Sequence, residues 1–140
     1  MKYVFTKGKI LNGKKDMQVQ EGQTILVEDR KITEILPAEE AARRNLAASG
    51  YEEIDLQGKY ILPGLINMHV HLAGNGKPQK KQRDNEALVK KIMSNGLTKA
   101  IAYNMVCGFA KDELCSGVTT IRTVGGLGDF DTRLREDIAA

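Results

Sequence analysis

The apolar positions of the first sixty residues fall in short runs, Tyr3-Val4-Phe5, Ile10-Leu11, Thr24-Ile25-Leu26-Val27 and Ile32 to Leu36. Gly8, Gly13, Gly22 and the turn-like Asp29-Arg30-Lys31 separate them, a pattern that predicts brief strands and a small β-rich module over residues 1–59. Residues 37–50, Pro37-Ala38-Glu39-Glu40-Ala41-Ala42-Arg43-Arg44-Asn45-Leu46-Ala47-Ala48-Ser49-Gly50, read as a helix. Proline suits its first turn and glycine its end, and Glu39–Arg43 and Glu40–Arg44 are spaced to pair at i,i+4. From Tyr60 the pattern changes to strand, helix, strand, helix. The run from Tyr60 to Ile66 is apolar almost throughout, as expected of a strand covered on both faces in a parallel sheet, with Pro63 and Gly64 at its start. Leu88, Ile92, Leu97, Ile101, Met105, Phe109 and Leu114 then recur at helical intervals over 84–115, predicting a core-facing helix interrupted at Gly96 and Gly108. Val118 to Val124 is a second buried strand, and Asp131 to Ile138 begins a further helix. The fold class is α/β.

Composition adds little: 140 residues with 41% hydrophobic and 28% charged are ordinary for a globular chain. No stretch approaches the ~20 apolar residues that span a bilayer, so the expectation is a cytoplasmic protein with no membrane partner. Cys107 and Cys115 lack C-x-x-C spacing and are expected as buried free thiols. A net charge of +3 gives no case for nucleic acid. The local excess Lys77-Pro78-Gln79-Lys80-Lys81-Gln82-Arg83 has no interleaved aromatics for base stacking and reads as a solvated loop, with attraction of an anionic substrate as its second use.

The chemistry is concentrated in Gly64-Leu65-Ile66-Asn67-Met68-His69-Val70-His71-Leu72, which holds both histidines of the chain. At i and i+2 on an extended strand the two imidazoles share a face and can share one ion, and Asn67 has the same parity. Ligands in α/β folds bind at the carboxyl ends of strands, where this pair falls. A catalytic zinc takes three protein ligands plus water, so His69 and His71 form only part of a site. A metallo-β-lactamase pattern fails because Ala73 and Gly74 stand where Asp and His are needed, and a cupin pattern lacks its glutamate. The glycine-rich Gly125-Gly126-Leu127-Gly128 does not complete a phosphate cradle, since Asp131 stands where the last glycine belongs.

Residues 55–71, DLQGKYILPGLINMHVH, resemble the opening of the metal-dependent amidohydrolase superfamily. The likeness extends upstream through Thr24 to Leu36. Downstream it reaches 116–126, SGVTTIRTVGG, which is similar to the second barrel strand of imidazolonepropionase-like and Xaa-Pro-dipeptidase-like members. The family commonly has Asp where this chain has Asn67 and Thr123. The resemblance implies a small N-terminal β-sandwich-like module followed, over 60–140, by the first two βα units of a TIM-type (β/α)₈ barrel. Such a barrel takes ~250 residues, so it is incomplete in this chain. It implies His69 and His71 as ligands of a divalent metal, with zinc the first choice. It also implies a metal-bound hydroxide attacking the C–N bond of a small amide, peptide or cyclic-amide substrate. The family's lysine, later histidines and late aspartate have no counterparts here, so no catalytic residue is identifiable, and the chain alone is expected to be inactive and to self-associate. The alternative is a non-catalytic metal-binding or interaction module completed by another chain.

Overall fold

The computed structural model describes residues 1–74, 76 and 84–140, and the basic segment 77–83 lies outside the described residues. The chain divides into two compact units, Met1–Pro63 and Gly64–Ala140.

In the first unit, β1 (Lys2–Thr6), β4 (Gln23–Glu28), β5 (Lys31–Pro37) and β6 (Glu52–Asp55) form a sheet of order β5-β4-β1-β6, β1 running antiparallel to β4 and parallel to β6. A second sheet joins β2 (Lys9–Leu11), β3 (Val19–Gln20) and β7 (Tyr60–Ile61) in the order β3-β2-β7. The apolar runs became strands where expected. The short β3 and the acidic β6, Glu52-Glu53-Ile54-Asp55, carry no such signal and are held by their ladders to β2 and β1. Thr24, Ile25 and Leu26 are all buried, so both faces of β4 are covered, because successive side chains point to opposite sides. Val4, Leu26 and Leu36 pack with Ala41 of α1 (Ala38–Arg43), and Leu46 and Tyr51 close on this cluster.

The helix expected over 37–50 therefore ends at Arg43. Arg44 is extended, with φ −91° and ψ 135°. Its guanidinium holds Glu34 of β5 at 2.7 and 2.9 Å and Glu40 at 2.6 Å. The chain then turns so that Leu46 and Tyr51 return to the core, and tertiary packing overrides an alanine-rich helical propensity.

The second unit is built on β8 (Leu65–Val70) and β9 (Val118–Thr123), paired in parallel. Between them run α2 (Asn85–Ile92) and α3 (Gly96–Cys115), and α4 (Phe130–Ala139) follows. Asp84 caps α2 through Ala87 N at 3.0 Å, and Asn95 caps α3 through Thr98 N at 2.9 Å. That second cap, with Met93 already out of α2, divides the stretch expected as one helix; Gly108, in contrast, lies inside an unbroken α3. The core is Val70, Leu72, Ala102, Tyr103, Val106, Phe130 and Leu134.

Three expectations are corrected here. Leu97, Ile101, Met105 and Leu114 are exposed, and the buried face of α3 is Ala102, Tyr103 and Val106. The helix is apolar nearly all round, so the spacing of its largest side chains does not mark the face that meets the sheet. The run from Tyr60 to Ile66 is not one strand either: β7 belongs to the β2 ladder, and β8 starts after Leu62-Pro63-Gly64. Ile66 and Met68 are 64% and 57% exposed, so β8 is not covered on both faces. The thiols are free, but only Cys107 is half-buried; Cys115 is exposed on the last turn of α3.

Candidate metal centre

His69 and His71 stand at the end of β8, where the strand gives way to the turn at Leu72 and Ala73. Among the described residues Leu72 is the most completely buried large side chain, and Val70 is buried beside α3. These apolar anchors alternate with the two histidines and turn both imidazoles away from the core. Their Nε2 atoms are 3.2 Å apart and their ring planes cross at 66°. Asn67 joins them as its parity predicted, its Oδ1 accepting the His69 backbone N–H at 3.2 Å. An open cavity of about 610 Å³ is lined by these three residues with Phe109, Asp112 and Glu113.

One contact was not legible beforehand. His71 Nδ1 lies 3.2 Å from the carbonyl oxygen of Gly125, in the glycine-rich loop after β9. A carbonyl only accepts, so Nδ1 carries a proton and, in the neutral ring, Nε2 keeps its lone pair, the form in which imidazole ligates a metal. Backbone carbonyls commonly serve metal-ligating histidines in this way. The backbone N–H of Val124 donates to the Val70 carbonyl at 3.1 Å, tying the start of that loop to the histidine strand.

The donor set fits a shared ion. With metal–nitrogen bonds of ~2.0–2.1 Å, two nitrogens 3.2 Å apart subtend about 100–105° at the ion, near the tetrahedral angle. Among the described residues, no group of three His, Cys, Asp or Glu side chains converges, so the two imidazoles are the donors that meet here.

No family model matches the chain. A dihydroorotase from Bacillus cytotoxicus is 36% identical over 81 residues, 58% of this chain and 17% of that enzyme. Among solved structures, a Bifidobacterium longum protein described as a prolidase is 27% identical with a TM-score of 0.68, covering 99% of this chain and 27% of its own. A Xaa-Pro dipeptidase with bound methionine is 25% identical with a TM-score of 0.66, over 99% and 30%. The kinship is with the metal-dependent amidohydrolase superfamily. The amidohydrolase likeness covers the N-terminal part, and the chain spans 17% of the length of the curated relatives it matches. The mixed α/β architecture agrees with that of these amidohydrolase neighbours. Among the described residues, no helix is long and apolar enough to cross a membrane.

Proposed function

We propose that this chain is the N-terminal portion of a hydrolase of carbon–nitrogen bonds, in which His69 and His71 are two ligands of a divalent ion, zinc by preference. The observation that carries the reading is the pair of Nε2 atoms 3.2 Å apart at the carboxyl end of a parallel strand. The Met1–Pro63 unit would be part of a β-sandwich, and β8 and β9 with their following helices the first two βα units of a (β/α)₈ barrel.

His71, its Nδ1 proton held on the Gly125 carbonyl, would present Nε2 to the ion, and His69 would present Nε2 from the same side, its backbone fixed by Asn67. When bound, the ion would bring the pKa of water towards ~7 and polarise a substrate carbonyl. The cavity beside the histidines is open enough for a small amide, peptide or cyclic amide to reach them. The names of the relatives, dihydroorotase, prolidase and Xaa-Pro dipeptidase, support that substrate range.

Calorimetric titration of the chain with Zn²⁺ at pH 7 should show one weak site, because water fills the remaining coordination positions. His69→Ala and His71→Ala should each abolish it. Retention of the site in both variants would remove the histidines from the reading.

A further inference from the structure

The loop after β9 poses a question that the metal pair does not answer: what holds the Gly125 carbonyl on His71? Gly125 has φ +155°, a backbone conformation that side chains rarely adopt, so the glycine permits the carbonyl to turn towards the imidazole. Gly126 has no such backbone demand. A Cβ built on it would instead meet the carboxylate of Asp131, Oδ2 at 2.5 Å and Cγ and Oδ1 at 2.7 Å. The carboxylate occupies the space of the missing side chain. Asp131 is in the first turn of α4, between Phe130, which is in the core, and the turn carrying Leu134, also in the core, so its backbone is fixed. Its Oδ1 is buried with no hydrogen-bond partner among the described residues, a costly position for a carboxylate oxygen that ordinary helix capping does not require.

We infer that Asp131 is a positioning residue: its carboxylate, seated on Gly126, holds the loop after β9 so that the Gly125 carbonyl keeps the proton of His71 on Nδ1 and leaves Nε2 bare. The order of contacts is continuous. Phe130 and Leu134 fix α4, Asp131 abuts Gly126, Gly125 binds His71, and His71 Nε2 faces His69. What Asp131 sets is the orientation and tautomer of a side chain. This gives the proposed metal site a preset ligand; the importance of Asp131 to function rests on that proposal, but the test of its role does not.

With two histidines in the chain, ¹⁵N-histidine labelling gives two imidazole spin systems in long-range ¹H–¹⁵N spectra, and His69→Gln assigns them. In the metal-free 140-residue chain, His71 should be predominantly the Nδ1–H tautomer. Gly126→Ala, whose methyl competes with the carboxylate, should shift His71 towards Nε2–H. Asp131→Ala, which adds no atom, should do the same by freeing the loop. Gly126→Ala with Asp131→Ala should restore most of the Nδ1–H population, because the new methyl fills the vacated space. Dispersed amide spectra confirm folding; where Gly126→Ala does not fold, Asp131→Ala and the double variant carry the reading. An unchanged His71 tautomer in Asp131→Ala, or a folded double variant no closer to the parent than Asp131→Ala, overturns the inference. Parallel Zn²⁺ titration separates it from the metal reading: a tautomer that responds as described in a chain that binds no zinc leaves the positioning role intact and removes the metal.

Discussion

Asp29 and Arg30 turn the chain between β4 and β5 with φ of 47° and 71°, and Glu28 and Lys31 pair across the hairpin they close. Two consecutive positive φ angles match the right-handed twist of a two-residue hairpin, the turn for which Asp-Gly is preferred. Asp tolerates that region; Arg does not. The N-terminal ammonium donates to Asp29 Oδ1 at 2.9 Å, which favours the first position only. Arg30→Gly should therefore stabilise the chain by about 0.5–1 kcal/mol, the left-handed penalty less the entropy that glycine adds to the unfolded state. A denaturation midpoint at or below that of the parent would contradict this. At this scale the sequence displayed the turn and the histidine pair, because both depend on neighbours within two residues. It did not display the Gly125 contact to His71, 54 residues away, nor the seat of Asp131 on Gly126. A glycine-rich loop after a strand was visible, but which glycine served conformation and which served close approach depends on side chains brought together by folding.

The elements extend that division between local and distant causes. Strands β1, β2, β4, β5 and β9 were legible because alternation and β-branching are carried by the residues themselves, whereas β6 is polar and exists through its parallel ladder to β1. Helix ends followed caps and packing: Asn95 divides α2 from α3, and the bond of Arg44 to Glu34 coincides with the end of α1. Gly64, read as a strand-weakening residue suited to the start of a strand, has a more specific cause. A Cβ there would fall inside the Thr119 side chain, against Oγ1, Cγ2 and Cβ, where β9 comes close to the start of β8. Rotating Thr119 does not clear its Cβ, so the strands would have to part. Gly64→Ala should destabilise the Gly64–Ala140 unit by about 1–3 kcal/mol, the usual cost of overfilling a packed site. Hydrogen exchange at the β8–β9 amides is the measurement, and unaltered protection would show that the strand start yields freely.

For the molecule as a whole, the two units differ in what stabilises them. The carboxyl groups held below their ordinary range lie in Met1–Pro63: Glu28 by its bonds from Tyr51 and then Lys2, Asp29 by the terminal ammonium, Glu34 by Arg44 and Asp55 by Lys7. A carboxylate whose folded pKa is depressed contributes stability above its unfolded value, near ~4, and loses it as pH falls through the folded value. Amide protection in β1, β4, β5 and β6 should accordingly decline below about pH 4, and constant protection down to pH 2.5 would discount these pairs. The Gly64–Ala140 unit carries the histidine pair, and its donor set bears on the proposed activity. Two imidazoles converge at β8, and no third His, Cys, Asp or Glu joins them among the described residues. The sequence of Asn75 and of 77–83 contains none of these residue types. An ion held by two nitrogens would be loosely bound, and Asp112 and Glu113, which line the cavity, do not converge with the histidines; acid–base assistance from a positioned group is typically worth ~10²–10⁴-fold in rate. Leu65, Ile66 and Met68 also lie exposed on β8, an apolar strip of the kind that marks an interaction surface. The 140-residue chain loaded with zinc should therefore hydrolyse dipeptides, N-acyl amino acids and cyclic amides no faster than the His69→Ala, His71→Ala double variant. Metal-dependent turnover well above that control, with sedimentation showing a defined oligomer, would mean that copies of the chain complete one another's site.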